Sequence, residues 1–200
     1  MSTISHEACA LEYARYWRTR EHAFVSGMMH DDVDTRLHAA RNAAGYFRIA
    51  RNFPTSFDIG HGLRRFEPLV QVFEDARSSA VTKETLVDAV ESLQCKLGAP
   101  YGGRKLLSAA TKFLWLLHRE AVVIFDSQAQ KALGAPGTNY SRYLELWHKG
   151  YEADRDSIAS ACSMLPASEA DRTTASSGWF IRRVYDIYLW RAGAPNRRGK

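Results

Sequence analysis

Two hundred residues, 46% of them apolar, can bury one substantial core, and the chain reads as one domain over residues 1–192 with a basic flexible tail at 193–200. The formal charge of +5 permits a polyanionic partner and is unevenly placed, since from Arg172 onward six arginines and one lysine are set against a single acid, Asp186. No run approaches the ~18 apolar residues of a membrane span, and the three cysteines, Cys9, Cys95 and Cys162, are too scattered for a disulfide framework or a sequence-local metal site. The expectation is a cytoplasmic monomer with no membrane contact, no metal and no cofactor.

Taken in order, Ser5 can cap a first helix reaching about Arg20, with Ala8, Leu11, Tyr13, Ala14 and Trp17 toward a core and Arg15, Arg18 and Arg20 outward. A break at Gly27 to Asp32 precedes a second helix, Val33 to about Ala50, whose Ala39, Ala40, Ala43 and Ala44 permit close packing. His30, Asp31, Asp32 and Asp34 resemble a ligand cluster, but acids at a helix start already suit the helix dipole. Asn52 to Gly62 is the longest irregular stretch. Its aromatics, beside Asn52 and His61, are residues of the kind that stack on or wedge behind an extruded base; the alternative is that Phe53 and Phe57 plug the core.

Pro68 fits the first turn of a helix to Ser78, and Thr82 can cap another over Lys83 to Leu97. After the Tyr101-Gly102-Gly103 turn, Leu106, Leu107, Ala110, Phe113, Leu114 and Leu117 fall at helical spacing, while Lys105, Ser108 and Lys112 lie on one polar stripe. Ala121 to Phe125 reads as a short buried extended run, and Asp126 takes an N-cap position before a helix that Gly134 ends. Asn139 or Ser141 starts a long helix that Gly150 can bend and Pro166 ends; Ala167 to Ser177 is a polar connector. A last helix, Gly178 to Ala192, turns Phe180, Ile181, Val184, Ile187, Tyr188 and Leu189 inward and Arg182, Arg183 and Asp186 outward. With about eight helices and no second strand-like run, the fold class is all-α.

A glycine turn, a basic helix start and an aspartate about twenty residues later at the head of a further helix together resemble the helix-hairpin-helix class of DNA glycosylases. The match covers roughly a fifth of the chain. Its opening, Leu97-Gly98-Ala99-Pro100-Tyr101-Gly102-Gly103, replaces the usual Leu-Pro-Gly-x-Gly. The resemblance implies a helix-hairpin-helix-like element in which Gly102, Gly103, Arg104 and Lys105 grip double-stranded DNA. It also implies that Asp126 stabilises the sugar cation as a base leaves and that a lysine can attack the sugar. Ser108 and Lys112, spaced as Ser-x-x-x-Lys before the aspartate, look most like small bacterial glycosylases of phage defence, whose targets are modified bases such as glucosylated hydroxymethylcytosine.

The residues support these roles on their own chemistry. A carboxylate at a helix N-terminus is favoured in its ionised form, as stabilisation of an oxocarbenium-like state requires; the plain alternative is an N-cap contributing ~1 kcal/mol. Lys112, flanked by Phe113 and Trp115, is placed for partial desolvation and nucleophilic use, against the alternative of a snorkelling surface lysine. Lys105 suits a phosphate, Ser108 can orient Lys112 or a water, and Arg182 and Arg183 are expected on the DNA backbone. Asn52, Phe53, Phe57 and His61 are the base-pocket or wedge candidates. Two other functions remain open. Arg142 to His148 and Arg15 to His22 match the loose pattern of HEPN-type RNases, and a non-enzymatic helical DNA-binding or partner-binding module would keep the basic residues alone.

Overall fold

A computed structural model describes residues 4–53 and 64–194. In chain order its α-helices are α1 (His6–Tyr16), α2 (His22–Met28), α3 (Val33–Tyr46), α4 (Val70–Ser78), α5 (Leu86–Gly98), α6 (Leu107–His118), α7 (Ser127–Ala132), α8 (Tyr140–Ser163), α9 (Arg172–Ser176) and α10 (Gly178–Ala192). Among the described residues no strand forms, so the class is all-α. No described helix is long and apolar enough to cross a membrane. The chain divides into two compact units, residues 1–18 with 125–200 and residues 19–124, and passes between them within a π-helical turn, Trp17–Glu21, and again at Ile124 and Phe125.

In the unit of residues 19–124, α2 and α3 pack closely because Gly27 meets Ala39, whose Cβ lies 2.6 Å from where a Gly27 Cβ would stand. The alanine-rich face of α3 is buried as its spacing predicts, at Ala39, Ala40, Ala43 and Ala44. Asp32 caps α3 through the Thr35 N–H and hydroxyl, each at 2.7 Å, and Asp31 pairs with Arg77 at 3.1 Å. Asp31 and Asp32 therefore have local partners, and among the described residues no group of metal-ligating side chains forms. Phe73, Phe113 and Phe53 form an aromatic centre, with ring centroids 4.9 Å apart for Phe73–Phe113 and 6.0 Å for Phe53–Phe113. Around it α4, α5 and α6 bury Ala76, Leu93, Leu97, Leu114 and Trp115.

The other unit joins the two ends of the chain. Ser5 caps α1 through the Ala8 N–H at 3.2 Å, and Asn139 caps α8 through the Arg142 N–H at 2.9 Å. α8 runs unbroken through Gly150; a Cβ there would lie 2.1 Å from the Tyr185 hydroxyl, so this glycine makes room for a tyrosine where a bend was expected. The polar connector holds a short helix, α9, capped by Asp171 through the Thr174 N–H at 2.9 Å.

The last helix corrects the sequence reading. α10 packs against α1, α7, α8 and α9, so little of its circumference meets water. Arg183 and Asp186, expected outside, are buried with a nitrogen–oxygen separation of 3.8 Å. The Trp147 indole N–H donates to Asp186 at 2.8 Å, and the Arg183 guanidinium lies 5.6 Å from the centre of the Tyr13 ring. A charged pair is tolerated inside when it brings hydrogen-bond partners with it. Arg183 is consequently unsuited to a phosphate contact, whereas Arg182 is half-buried.

Candidate functional site

The glycine turn between α5 and α6 is built by three glycines with different tasks. Gly98 ends α5 at a point where a Cβ would stand 1.7 Å from the Arg104 carbonyl oxygen, so only glycine lets the returning chain pass. Gly102 and Gly103 have φ of +87° and +70°, a left-handed conformation that L side chains adopt at a cost, and the space around both is open. The Gly103 N–H closes the turn on the Gly98 carbonyl at 3.0 Å. The Tyr101 hydroxyl donates to the Arg65 carbonyl, and burial raises its pKa to about 12, which keeps it a donor. Gly102, Gly103, Arg104 and Lys105 are all exposed. Lys105 lies in an extended lead-in two residues before α6 begins, rather than on the helical stripe expected for it.

α6 is buried on almost every side from Ala109 to Leu117, as an apolar helix in a core should be. Within that run sits Lys112, 6% exposed, whose Nζ donates to the Ser108 Oγ at 2.8 Å. The spacing of four residues brings the two side chains together on one side of the helix. Lys112 is thus inside the protein, not snorkelling at its surface, and Ser108 is the hydroxyl that orients it.

Asp126 belongs to the other unit. Val122 to Ile124 are buried, take no regular secondary structure and deliver the chain to it. Asp126 is the N-cap of α7, extended at φ −138° and ψ 140°, and its carboxylate accepts the Gln128 N–H at 2.8 Å. The preceding residue, Phe125, is anchored by ring contacts with Tyr143 at 5.1 Å and Tyr140 at 6.3 Å. Burial, followed by the charges of Asp186 and Asp126, holds the Tyr143 hydroxyl well above its ordinary pKa. The far side of α7 is fixed by Gly193, where a Cβ would stand 1.8 Å from the Gln128 carbonyl oxygen. Two positioning glycines, Gly98 and Gly193, escaped the sequence reading; their signal is glycine at a helix end, which sequence alone assigns to capping.

The loop candidates divide. Asn52 is half-buried, and its carbonyl accepts the Arg104 guanidinium at 3.2 Å. Phe53 is 1% exposed, packed against Phe66 at 5.3 Å and Tyr101 at 5.4 Å, so it plugs the core and offers no face to a base. Phe57 and His61 lie outside the described residues, as do Thr55, Ser56 and Asp58. No family model, curated protein or solved structure matches the chain.

Proposed function

We propose that the protein is a DNA glycosylase that removes a modified base from duplex DNA. The observation that carries this reading is the lysine amine of α6, buried in an otherwise apolar helix and hydrogen-bonded to Ser108, directly downstream of an open glycine turn with exposed Arg104 and Lys105. Burial of a lysine is costly and is characteristic of lysines used as nucleophiles. In this reading the exposed turn binds phosphates through its backbone N–H groups and its two cations. The target nucleotide is flipped from the stack, and the bond from sugar C1′ to the base nitrogen breaks with its electron pair leaving on the base. The Asp126 carboxylate stabilises the positive charge developing on the sugar, and water or the Lys112 amine then bonds to C1′. Attack by the amine, followed by breakage of the C1′–O4′ bond with its electron pair and the amine proton passing to O4′, opens the sugar to a Schiff base and adds lyase activity. The favoured substrate class is a bulky modified base of phage DNA, such as glucosylated hydroxymethylcytosine, with oxidised or alkylated bases as the repair alternative.

Of the two arginine–histidine pairs of the RNase alternative, Arg142 is paired with Glu145 at 2.6 Å and the His148 ring packs edge-on against Trp147, while Arg15 lies 3.5 Å from Glu169. The test is Asp126→Asn, which keeps a capping oxygen and removes the charge. Base release from modified duplex should fall on the order of 10²–10³-fold with DNA affinity retained. Full activity in this variant removes Asp126 from the mechanism.

A further inference from the structure

Beside the glycine turn runs a second basic segment, whose Arg48 and Arg51 have no role among the sequence candidates. Residues 48–53 are held against residues 101–105 by the Arg104 guanidinium on the Asn52 carbonyl, 3.2 Å, and by the Phe53–Tyr101 ring contact, 5.4 Å. Four cations stand on these two segments, Arg48, Arg51, Arg104 and Lys105, and all are exposed. Among the described residues none of the four has an ion-pair partner, and neither segment contains an acid. Several other arginines are ion-paired, Arg18 with Glu169 at 3.1 Å, Arg77 with Glu74 at 2.8 Å and Arg142 with Glu145 at 2.6 Å, whereas these two segments bring together four cations that are unpaired among the described residues. Arg48 also occupies the left-handed position that ends α3, φ +57°, with Ile49 N–H on the Ala44 carbonyl at 2.9 Å. Glycine is the usual residue there, so the arginine gives nothing to the turn that glycine would not.

We propose that Arg48 and Arg51 extend the glycine turn into one phosphate-binding track, so that residues 48–51 and 102–105 together follow the sugar-phosphate backbone of duplex DNA. The inference rests on the reading of the turn as a DNA contact and adds the neighbouring segment to it. Unmatched arginines at neighbouring positions repel one another until a polyanion neutralises them, and guanidinium groups take phosphate oxygens in bidentate fashion. The described parts of the two segments carry no exposed large apolar side chain, which an anionic membrane surface would use to anchor its partner.

Binding of the full chain to an unmodified DNA duplex, measured by fluorescence anisotropy over a range of salt concentrations, tests this without any catalytic step. Arg48→Gly combined with Arg51→Ala should lower the slope of log affinity against log salt by about two and weaken binding roughly tenfold at low salt. Arg48→Gly suits the left-handed turn, and a double lysine variant, Arg48→Lys with Arg51→Lys, should retain the wild-type slope. Arg155→Ala, whose guanidinium lies 3.8 Å from Glu152, is the surface control. An unchanged slope in the Gly/Ala variant overturns the proposal, as does tighter binding to phosphatidylserine vesicles than to the duplex. A lowered slope in a protein that releases no base from any DNA supports the track and counts only against the catalytic reading.

Discussion

At Lys112 the primary amine has exchanged water for the protein interior, with the Ser108 hydroxyl as one of its acceptors. Methionine has nearly the same length and belongs in such a place, so Lys112→Met should leave the thermal midpoint unchanged or slightly raised, a gain of up to about 1 kcal/mol. The same variant should abolish borohydride trapping of a protein–DNA adduct. Trapping at wild-type yield would assign the Schiff base to another amine. The Ser108–Lys112 contact and the N-cap position of Asp126 were open to reading because each depends on local spacing, four residues along a helix or one residue before it. Arg183 and Asp186 were not, because their burial depends on Trp147 and Tyr13, which arrive from distant parts of the chain.

Among the elements, α5, the glycine turn and α6 act as one construction whose tightest point is Gly98. Gly98→Ala would force backbone against backbone, with no flexible side chain to give way. It should destabilise the protein by about 3 kcal/mol or more, seen as a shift of the denaturant midpoint. Gly102→Ala meets open space and only a left-handed φ, so its cost should be about 1–2 kcal/mol. Equal effects of the two substitutions would contradict this account of the turn. Leucine spacing and paired glycines made the helices and the turn predictable, but the close approach at Gly98 depends on where the returning chain passes. The π-helical turn at Trp17–Glu21 was likewise hidden, since it continues a helix whose sequence gives no sign of the wider turn; it buries Glu21, which accepts the Tyr46 hydroxyl at 3.1 Å.

Across the molecule, the all-α class followed from helical periodicity and from a lone β-branched run with nothing to pair with, and Val122 to Phe125 form a connector without regular secondary structure. Grouping residues 1–18 with 125–200 was beyond sequence reading, because α1 is recruited by α8 and α10 through contacts such as Tyr13–Phe180, 4.7 Å between ring centroids. Of the four loop residues proposed for the base, Phe53 has gone to the core, Asn52 is half-buried against Arg104, and Phe57 and His61 lie outside the described residues. The central claim, cleavage of the N-glycosidic bond, is tested most directly by incubating the purified protein with glucosylated hydroxymethylcytosine phage DNA, unmodified duplex, and duplexes carrying oxidised or alkylated bases. Free base and abasic sites are then quantified in each. The account predicts release from modified DNA, greatest from the glucosylated substrate, and none from the unmodified duplex; an absence of released base from every DNA in the panel would contradict it.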